Sequence, residues 1–96
     1  MPVYMIVEIK EVIDKKKYAG YIQKVPPIIE KFGGKYLVRG GQVSVASGDW
    51  EPERITIVQF ESMDKFNAWW NSPEYRAIAH LREGSTRTNA IVVEGV

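Results

Sequence analysis

Three arginines are the side chains of this sequence that most directly suggest chemistry. Arg39 precedes Gly40-Gly41 inside a stretch that otherwise reads as a strand, Arg54 opens a β-branched run, and Arg82 falls near the end of an apolar helical pattern. A guanidinium stays charged and is not buried without a partner, so each of them needs a carboxylate or a bound anion. Two interpretations stay open, namely an ion network that braces helix against sheet and a site that holds a carboxylate or enolate-like oxygen.

Aromatic and acidic residues could complete a small-molecule pocket between helices and sheet. Tyr18, Trp50 and Tyr75 are expected to form its walls, and Tyr18 or Glu74 could relay a proton. At helical spacing Glu74 and Arg82 flank one apolar face, which places both at the edge of the core. A carboxylate there needs pairing, and the arginines are its expected partners. The candidate ligand-binding residues are therefore Arg39, Trp50, Arg54, Tyr75 and Arg82.

Other kinds of chemistry find no support in the residues. The chain has no cysteine and one histidine, His80, so the sequence predicts no metal site and no cofactor. His80 lies almost opposite the helical face of Tyr75, Ile78 and Leu81, which predicts a surface position. The two glycine pairs do not form a phosphate-binding loop, because bulky residues 35–39 separate them.

Composition and charge narrow the classes of partner. The net charge is +1, which provides no general attraction for nucleic acid or for an anionic membrane surface. A lysine-rich segment over residues 10–24 lacks arginine and is interpreted as a solvated helix face. No apolar run approaches the roughly 18 residues of a membrane span, and the start of the chain lacks the pattern of a signal peptide. The expected location is the cytoplasm.

Four segments are typical of strands and two longer ones of helices. Alternating or β-branched apolar residues predict strands over residues 3–10, 35–47, 54–60 and 87–94. Asp14 is the expected N-cap of the first helix, with a kink or restart at Pro26-Pro27 and a left-handed stop at Gly33-Gly34. Ser62 is expected to cap a second helix, which restarts after Ser72.

This order predicts a ferredoxin-like βαββαβ sandwich formed by one domain over residues 1–96. Its four-stranded antiparallel sheet would carry both helices on one face. The opposite face should then be polar, yet Tyr4 and Ile6 of the first strand and both sides of the third strand are largely apolar. We therefore expect a homodimer in which two sheets pack face to face. The glycine pair after Arg39 predicts a bend in the second strand that re-aims this arginine.

Several short runs together resemble a known family over essentially the whole chain. They are Val38-Arg39-Gly40-Gly41, Trp50-Glu51-Pro52-Glu53-Arg54, Phe60, Ala68-Trp69-Trp70-Asn71-Ser72-Pro73-Glu74-Tyr75, Arg82 and Val93-Glu94-Gly95. The family is a group of small bacterial proteins called domain of unknown function 1330. The resemblance implies a ferredoxin-like fold in the dimeric α/β-barrel superfamily and no established activity.

Looser relatives in that superfamily include cofactor-independent quinol monooxygenases, haem-degrading oxygenases and lactone isomerases, with a pocket between sheet and helices. Haem binding in these relatives generally uses a histidine. The outward position expected for His80 argues against haem binding by this chain. Two hypotheses follow. The chain is a homodimer that binds a small anionic or aromatic metabolite, and could transform it without a cofactor, or it is a non-enzymatic dimeric structural or interaction module. Whether it is an enzyme stays open.

Overall fold

Four strands and three helices make up the fold of this protein. In the computed structural model, which describes residues 1–96, they are β1 (Val3–Val12), α1 (Lys15–Lys31), β2 (Lys35–Gln42), β3 (Arg54–Phe60), α2 (Met63–Trp70), α3 (Pro73–Glu83) and β4 (Thr86–Glu94). The strands form one antiparallel sheet in the order β2-β3-β1-β4. The predicted ferredoxin-like order is confirmed, with the second helix divided into α2 and α3.

The edge strand β2 departs most from the sequence prediction. Its register against β3 shifts between Val38 and Gly41, and Gly40 has a φ of 60°, a left-handed conformation that glycine adopts without strain. The expected bend is therefore present. The prediction that the strand continues to Ser47 is wrong, since it ends at Gln42. Because β2 has a neighbour on one side only, residues that turn away from β3 lose their hydrogen-bonding partner.

Helix α1 begins and ends as predicted but does not break at its prolines. Asp14 Oδ1 accepts a hydrogen bond from the Lys17 amide at 3.0 Å, and the helix then runs through Pro26 and Pro27 without a restart. Each proline removes the hydrogen bond to the carbonyl four residues earlier, at Ile22 and Gln23. Both of those residues are exposed, so water can reach the freed carbonyls.

The end of α1 is a glycine stop of the Schellman type. Gly33 has a φ of 80°, its amide donates to the Glu30 carbonyl at 3.0 Å, and the Gly34 amide donates to the Ile29 carbonyl at 2.9 Å. These two bonds satisfy carbonyls that the helix itself leaves free. The chain can then reverse directly into β2.

The core lies between the helices and one face of the sheet. Alternation along β1 directs Val3, Met5 and Val7 toward the helices, where Val3 and Met5 are buried. Trp69 is buried against Phe60, with ring centroids 5.5 Å apart. The core members are Val3, Met5, Val25, Ile29, Val58, Phe60, Phe66, Trp69, Tyr75 and Ala79.

The opposite face of the sheet, which we call the outer face, is uncovered and mainly apolar. Ile6 of β1 pairs with Ile57 on β3 and with Ile91 on β4, so three isoleucines lie side by side across the middle of the sheet. Ile91 is 60% exposed and the neighbouring Val93 is 44% exposed. This apolar surface agrees with the sequence prediction for the outer face.

None of the three helices is both long and apolar enough to cross a lipid bilayer.

Candidate functional site

A cavity of about 330 Å³ lies between the helices and the inner face of the sheet. Its apolar wall is formed by the inward-facing residues of β1, by one face of α1 and by a buried residue of β3. Strand and helix periodicities place these side chains on the same side of the sheet. The apolar lining residues include Met5, Val7, Ile9, Val12, Ile22, Val25, Ile29 and Val58. This wall would bury the hydrophobic part of a small molecule.

Three arginines contribute the only charged groups that line the cavity. Arg39 comes from β2, Arg54 from the start of β3 and Arg82 from the last turn of α3, while no aspartate or glutamate is among the lining residues. None of the three takes part in an ion pair, since the ion pairs of the chain join Lys31 to Glu74 and Arg87 to Glu11. The cavity therefore has a positive lining without internal neutralisation.

Arg82 and Arg39 each contact an aromatic ring instead of a carboxylate. The guanidinium carbon of Arg39 lies 4.3 Å from the centroid of Tyr36, and that of Arg82 lies 5.4 Å from the centroid of Trp70. The Nε atom of Arg82 is buried and has no hydrogen-bond partner in the protein. A buried donor without an acceptor is costly, and no hydrogen bond within the protein compensates this cost.

Tyrosine hydroxyls supply most of the neutral polar groups of the site, and two threonines, Thr56 and Thr88, supply the others. The hydroxyl oxygens of Tyr21 and Tyr75 lie 2.9 Å apart, and Tyr75 is fully buried with its ring centroid 4.2 Å from that of Trp69. Burial raises the pKa of Tyr21 far above its ordinary value, and the adjacent Tyr75 raises it further. At neutral pH Tyr21 is a hydrogen-bond donor and not a base.

Two further phenols in the cavity are each influenced by an arginine. Burial raises the pKa of Tyr18, while the positive charge of Arg82 opposes this rise. Burial also raises the pKa of Tyr36, and Arg39 opposes it by charge and by hydrogen bonding. Both hydroxyls are therefore protonated near neutral pH and sit beside a cation.

The glycine pair after Arg39 has a specific role in forming this wall. With its positive φ, Gly40 directs its amide to the hydroxyl oxygen of Thr56 on β3 at 2.9 Å. Both residues line the cavity beside Arg39. The bulge thus replaces a regular ladder bond by a side-chain bond beside Arg39, which lines the cavity and is exposed.

The structure brings together five of the seven predicted site residues. Tyr18, Arg39, Arg54, Tyr75 and Arg82 all line the cavity. Trp50 and Glu74 do not. Trp50 belongs to the segment between β2 and β3, is 62% exposed, and donates a hydrogen bond from Nε1 to Glu8 Oε2 at 3.2 Å. Glu8 alternates with the inward residues of β1, so this bond places Trp50 by the outer face.

Glu74 lies at the start of α3 and pairs with Lys31 at the end of α1. The predicted pairing of Glu74 with an arginine is therefore wrong. The hydrogen bond from Lys31 lowers the pKa of Glu74, which keeps this carboxylate ionised. It joins two helix ends and contributes nothing to the cavity wall.

Tyr21 and Tyr36 line the cavity although the sequence did not single them out. Tyr21 follows Tyr18 by three residues, a helical spacing that puts both rings on one side of α1, where their centroids lie 6.1 Å apart. That spacing was a readable signal for Tyr21. His80 is exposed on α3, and no three His, Cys, Asp or Glu side chains converge anywhere in the chain.

Solved structures with the same fold cover nearly all of this chain. A protein of unknown function from Rhodopseudomonas palustris is 21% identical, with a TM-score of 0.77 over 99% of this chain and 82% of the other. A dimeric ferredoxin-like protein of unknown function from Jannaschia sp. CCS1 is 11% identical, with a TM-score of 0.75 over 99% and 100%. At these identities the likeness shows the fold.

One further neighbour has a described activity. SnoaB, a cofactor-independent oxygenase from Streptomyces nogalater, is 7% identical, with a TM-score of 0.64 over 99% of this chain and 91% of the other. Among curated proteins, no sequence matches this chain. The family described as "Domain of unknown function (DUF1330)" matches residues 2–96. The chain therefore belongs to the DUF1330 family.

Proposed function

We propose that this protein binds a small metabolite with an apolar or aromatic body and a negative charge in the cavity between helices and sheet. The observation that carries this proposal is the set of three arginines, Arg39, Arg54 and Arg82, that line the cavity without any carboxylate. The volume of about 330 Å³ lies at the small end of the range of roughly 300–1,000 Å³ for ligand pockets. A compact organic anion fits both features.

The alternative is a non-enzymatic module in which the charged residues only brace the fold. Bracing by an arginine requires a carboxylate or several carbonyl acceptors. Arg82 is partly buried with its Nε unsatisfied, and it pairs with no acidic residue. This observation favours ligand binding over bracing.

Chemical transformation of the ligand without a cofactor is part of the same proposal. Its support is the likeness in fold to SnoaB, a cofactor-independent oxygenase. Tyr18 is our candidate for donating a proton to the ligand, because it lines the cavity and its raised pKa keeps the hydroxyl protonated near neutral pH. Glu74 is not a candidate for this role, since it lies outside the cavity.

We also propose that the protein is a homodimer that buries the outer face of the sheet. The exposed Ile91 and Val93 and the half-buried Ile6 and Ile57 form an apolar surface that a second copy would cover. Two of the similar structures are described as dimeric ferredoxin-like proteins, which supports this arrangement. The cavity lies between the helices and the inner face of the sheet, opposite the surface that a second copy would cover.

A thermal-shift screen with a set of small carboxylates tests the binding proposal. We expect several of them to raise the melting temperature of the wild-type protein. The variant Arg82→Gln should bind them about tenfold or more weakly, which corresponds to the loss of a charged hydrogen bond. Arg87→Gln is the matched control, because Arg87 lies on β4, pairs with Glu11 at 3.7 Å and does not line the cavity.

The screen also discriminates the alternative. If no carboxylate shifts the wild-type melting temperature and Arg82→Gln only destabilises the fold, the protein is better described as a structural module. Equal weakening by Arg82→Gln and Arg87→Gln would show that binding follows net charge and not the cavity.

A further inference from the structure

We infer that the ligand of the cavity has two oxygen-bearing ends: an anionic group held by the arginines and, across an apolar body, an uncharged acceptor oxygen bound by the Tyr21–Tyr75 pair. The corresponding chemical class is an oxo-substituted or similarly oxygenated carboxylate. This inference rests on the proposed function and adds the polarity and orientation of the ligand.

A charged donor and a neutral donor occupy different positions along α3. Tyr75 and Arg82 are seven residues apart, which is close to two helical turns, so both project from one face of the helix. Their backbones are separated by roughly 10 Å along the helix axis. The helix therefore presents a phenol and a guanidinium to the same cavity at two levels.

The sheet repeats this separation. On β3, Arg54 pairs with Ile9 of β1, while Val58 pairs with Met5. Arg54 and Val58 are four positions apart along the strand, a distance of roughly 13 Å. Val58 and Met5 are buried, whereas Arg54 is exposed, so the charged end of the cavity is the open end. An amphipathic ligand would enter with its apolar body first.

The Tyr21–Tyr75 pair has one more hydroxyl proton than its own hydrogen bond requires. Two phenols carry two hydroxyl protons, and the bond between Tyr21 and Tyr75 uses one of them. Neither hydroxyl has another hydrogen-bond partner within the protein, and the surrounding side chains include Val25, Ile29 and Trp69. One O–H donor therefore remains without an acceptor in an apolar region, where an acceptor oxygen of the ligand would stabilise it.

Arginine cannot fulfil this role, and the tyrosines cannot bind the charge equally well. A guanidinium provides several charged donors and selects a carboxylate. The remaining phenol provides a single neutral donor, and the raised pKa of Tyr21 keeps that phenol protonated. The two ends of the cavity thus select different oxygens.

Three matched probes test this inference by isothermal titration calorimetry on the wild-type protein. They are 4-acetylbenzoate, which has both oxygens, 4-isopropylbenzoate, which replaces the ketone by a group of similar shape, and 4-acetylbenzamide, which replaces the anion by a neutral amide. We expect 4-isopropylbenzoate to bind about fivefold more weakly than 4-acetylbenzoate, as for the loss of one neutral hydrogen bond. The amide should bind about tenfold or more weakly.

Tyrosine variants locate the acceptor. Tyr75 is fully buried, so the hydroxyl that can reach the ligand is that of Tyr21. Tyr75→Phe leaves the Tyr21 proton free and should keep the preference for the acetyl probe, whereas Tyr21→Phe should reduce it. The double variant removes both protons and should bind 4-acetylbenzoate and 4-isopropylbenzoate equally. Tyr4→Phe, on the outer face, is the matched control and should behave as the wild type.

The outcomes separate this inference from the proposed function. Equal affinity of wild type for the two benzoates, with weaker binding to Arg82→Gln, would overturn the acceptor end and leave the anion site standing. A preference for the acetyl probe that persists in the double variant would also overturn it. Failure of all three probes to bind would overturn the inference, while the proposed function would still be decided by the carboxylate screen. The comparison of probes on the wild type does not depend on any variant folding.

Discussion

The indole nitrogen of Trp50 donates a hydrogen bond to Glu8 Oε2 at 3.2 Å, although 42 residues separate them in the chain. Asn89 Nδ2 donates to the other oxygen of the same carboxylate at 3.2 Å. Trp50 is 62% exposed, and its contact lies on the same face of the sheet as Ile6 and Ile91. A large exposed ring beside an apolar surface is typical of protein interfaces, which agrees with the proposed homodimer.

A charge at the centre of the outer face should separate the dimer. We expect Ile91→Glu to be monomeric at micromolar concentration, because a dimer would bury the new carboxylate without a partner. Size-exclusion chromatography with light scattering measures this directly. Ile13→Glu is the control, since Ile13 is equally exposed, at 62%, but lies between β1 and α1. A wild-type protein that is monomeric under these conditions would contradict the dimer.

The buried phenols predict a loss of stability at alkaline pH. Burial raises the pKa values of Tyr18, Tyr21 and Tyr36 above 10.0, whereas in the unfolded chain these groups ionise near that value. Ionisation therefore favours the unfolded chain. The contribution of the three tyrosines to the free energy of unfolding is complete below about pH 10 and decreases as the pH rises above it. Tyr21→Phe should show a shallower alkaline decrease than the wild type in urea unfolding. Parallel curves for the two proteins would contradict this assignment.

The Lys31–Glu74 pair predicts an effect at acid pH. Because the pKa of Glu74 is lowered from 4.5, its contribution to stability is present above that value and disappears as the pH falls through the folded pKa. Glu74→Gln should be slightly less stable than the wild type at neutral pH, and the two should converge at acid pH, once Glu74 is protonated in the folded protein as well. Urea unfolding at several pH values measures this difference. The variant should bind carboxylates normally, and a loss of affinity would show that Glu74 reaches the ligand.

Ser72 is the residue at which helix capping should matter most. It is 4% exposed, its hydroxyl accepts from the Tyr75 amide at 3.1 Å, and it donates to the Trp69 carbonyl at 2.8 Å. Ser72→Ala should lower the unfolding free energy by about 1–2 kcal/mol, which corresponds to roughly 4–8 °C of melting temperature per kcal/mol. Ser62→Ala is the matched control at the start of α2, and we expect a smaller loss, because its cap bond is exposed. Equal losses would contradict a special role for the buried cap.

Local patterns in the sequence determined most of the architecture. The alternation along β1 and β3, the serine caps of α2 and α3 and the stop at Gly33-Gly34 were all predicted and are all present. Each of these features depends on residues that are close together in the chain. The period of the apolar residues determines which face of a strand or helix is buried, and single residues at the helix ends determine the caps. The apolar outer face followed from the same alternation.

Contacts between distant segments were decided only by the tertiary structure. The sequence indicated that Arg39, Arg54 and Arg82 could meet, but not that Glu74 would pair with Lys31 or that Tyr21 would meet Tyr75. It also placed Trp50 in the pocket wall, whereas the segment after Gln42 turns toward the outer face. Such contacts depend on the register of the strands and the packing of α1 against α3, which no local pattern specifies.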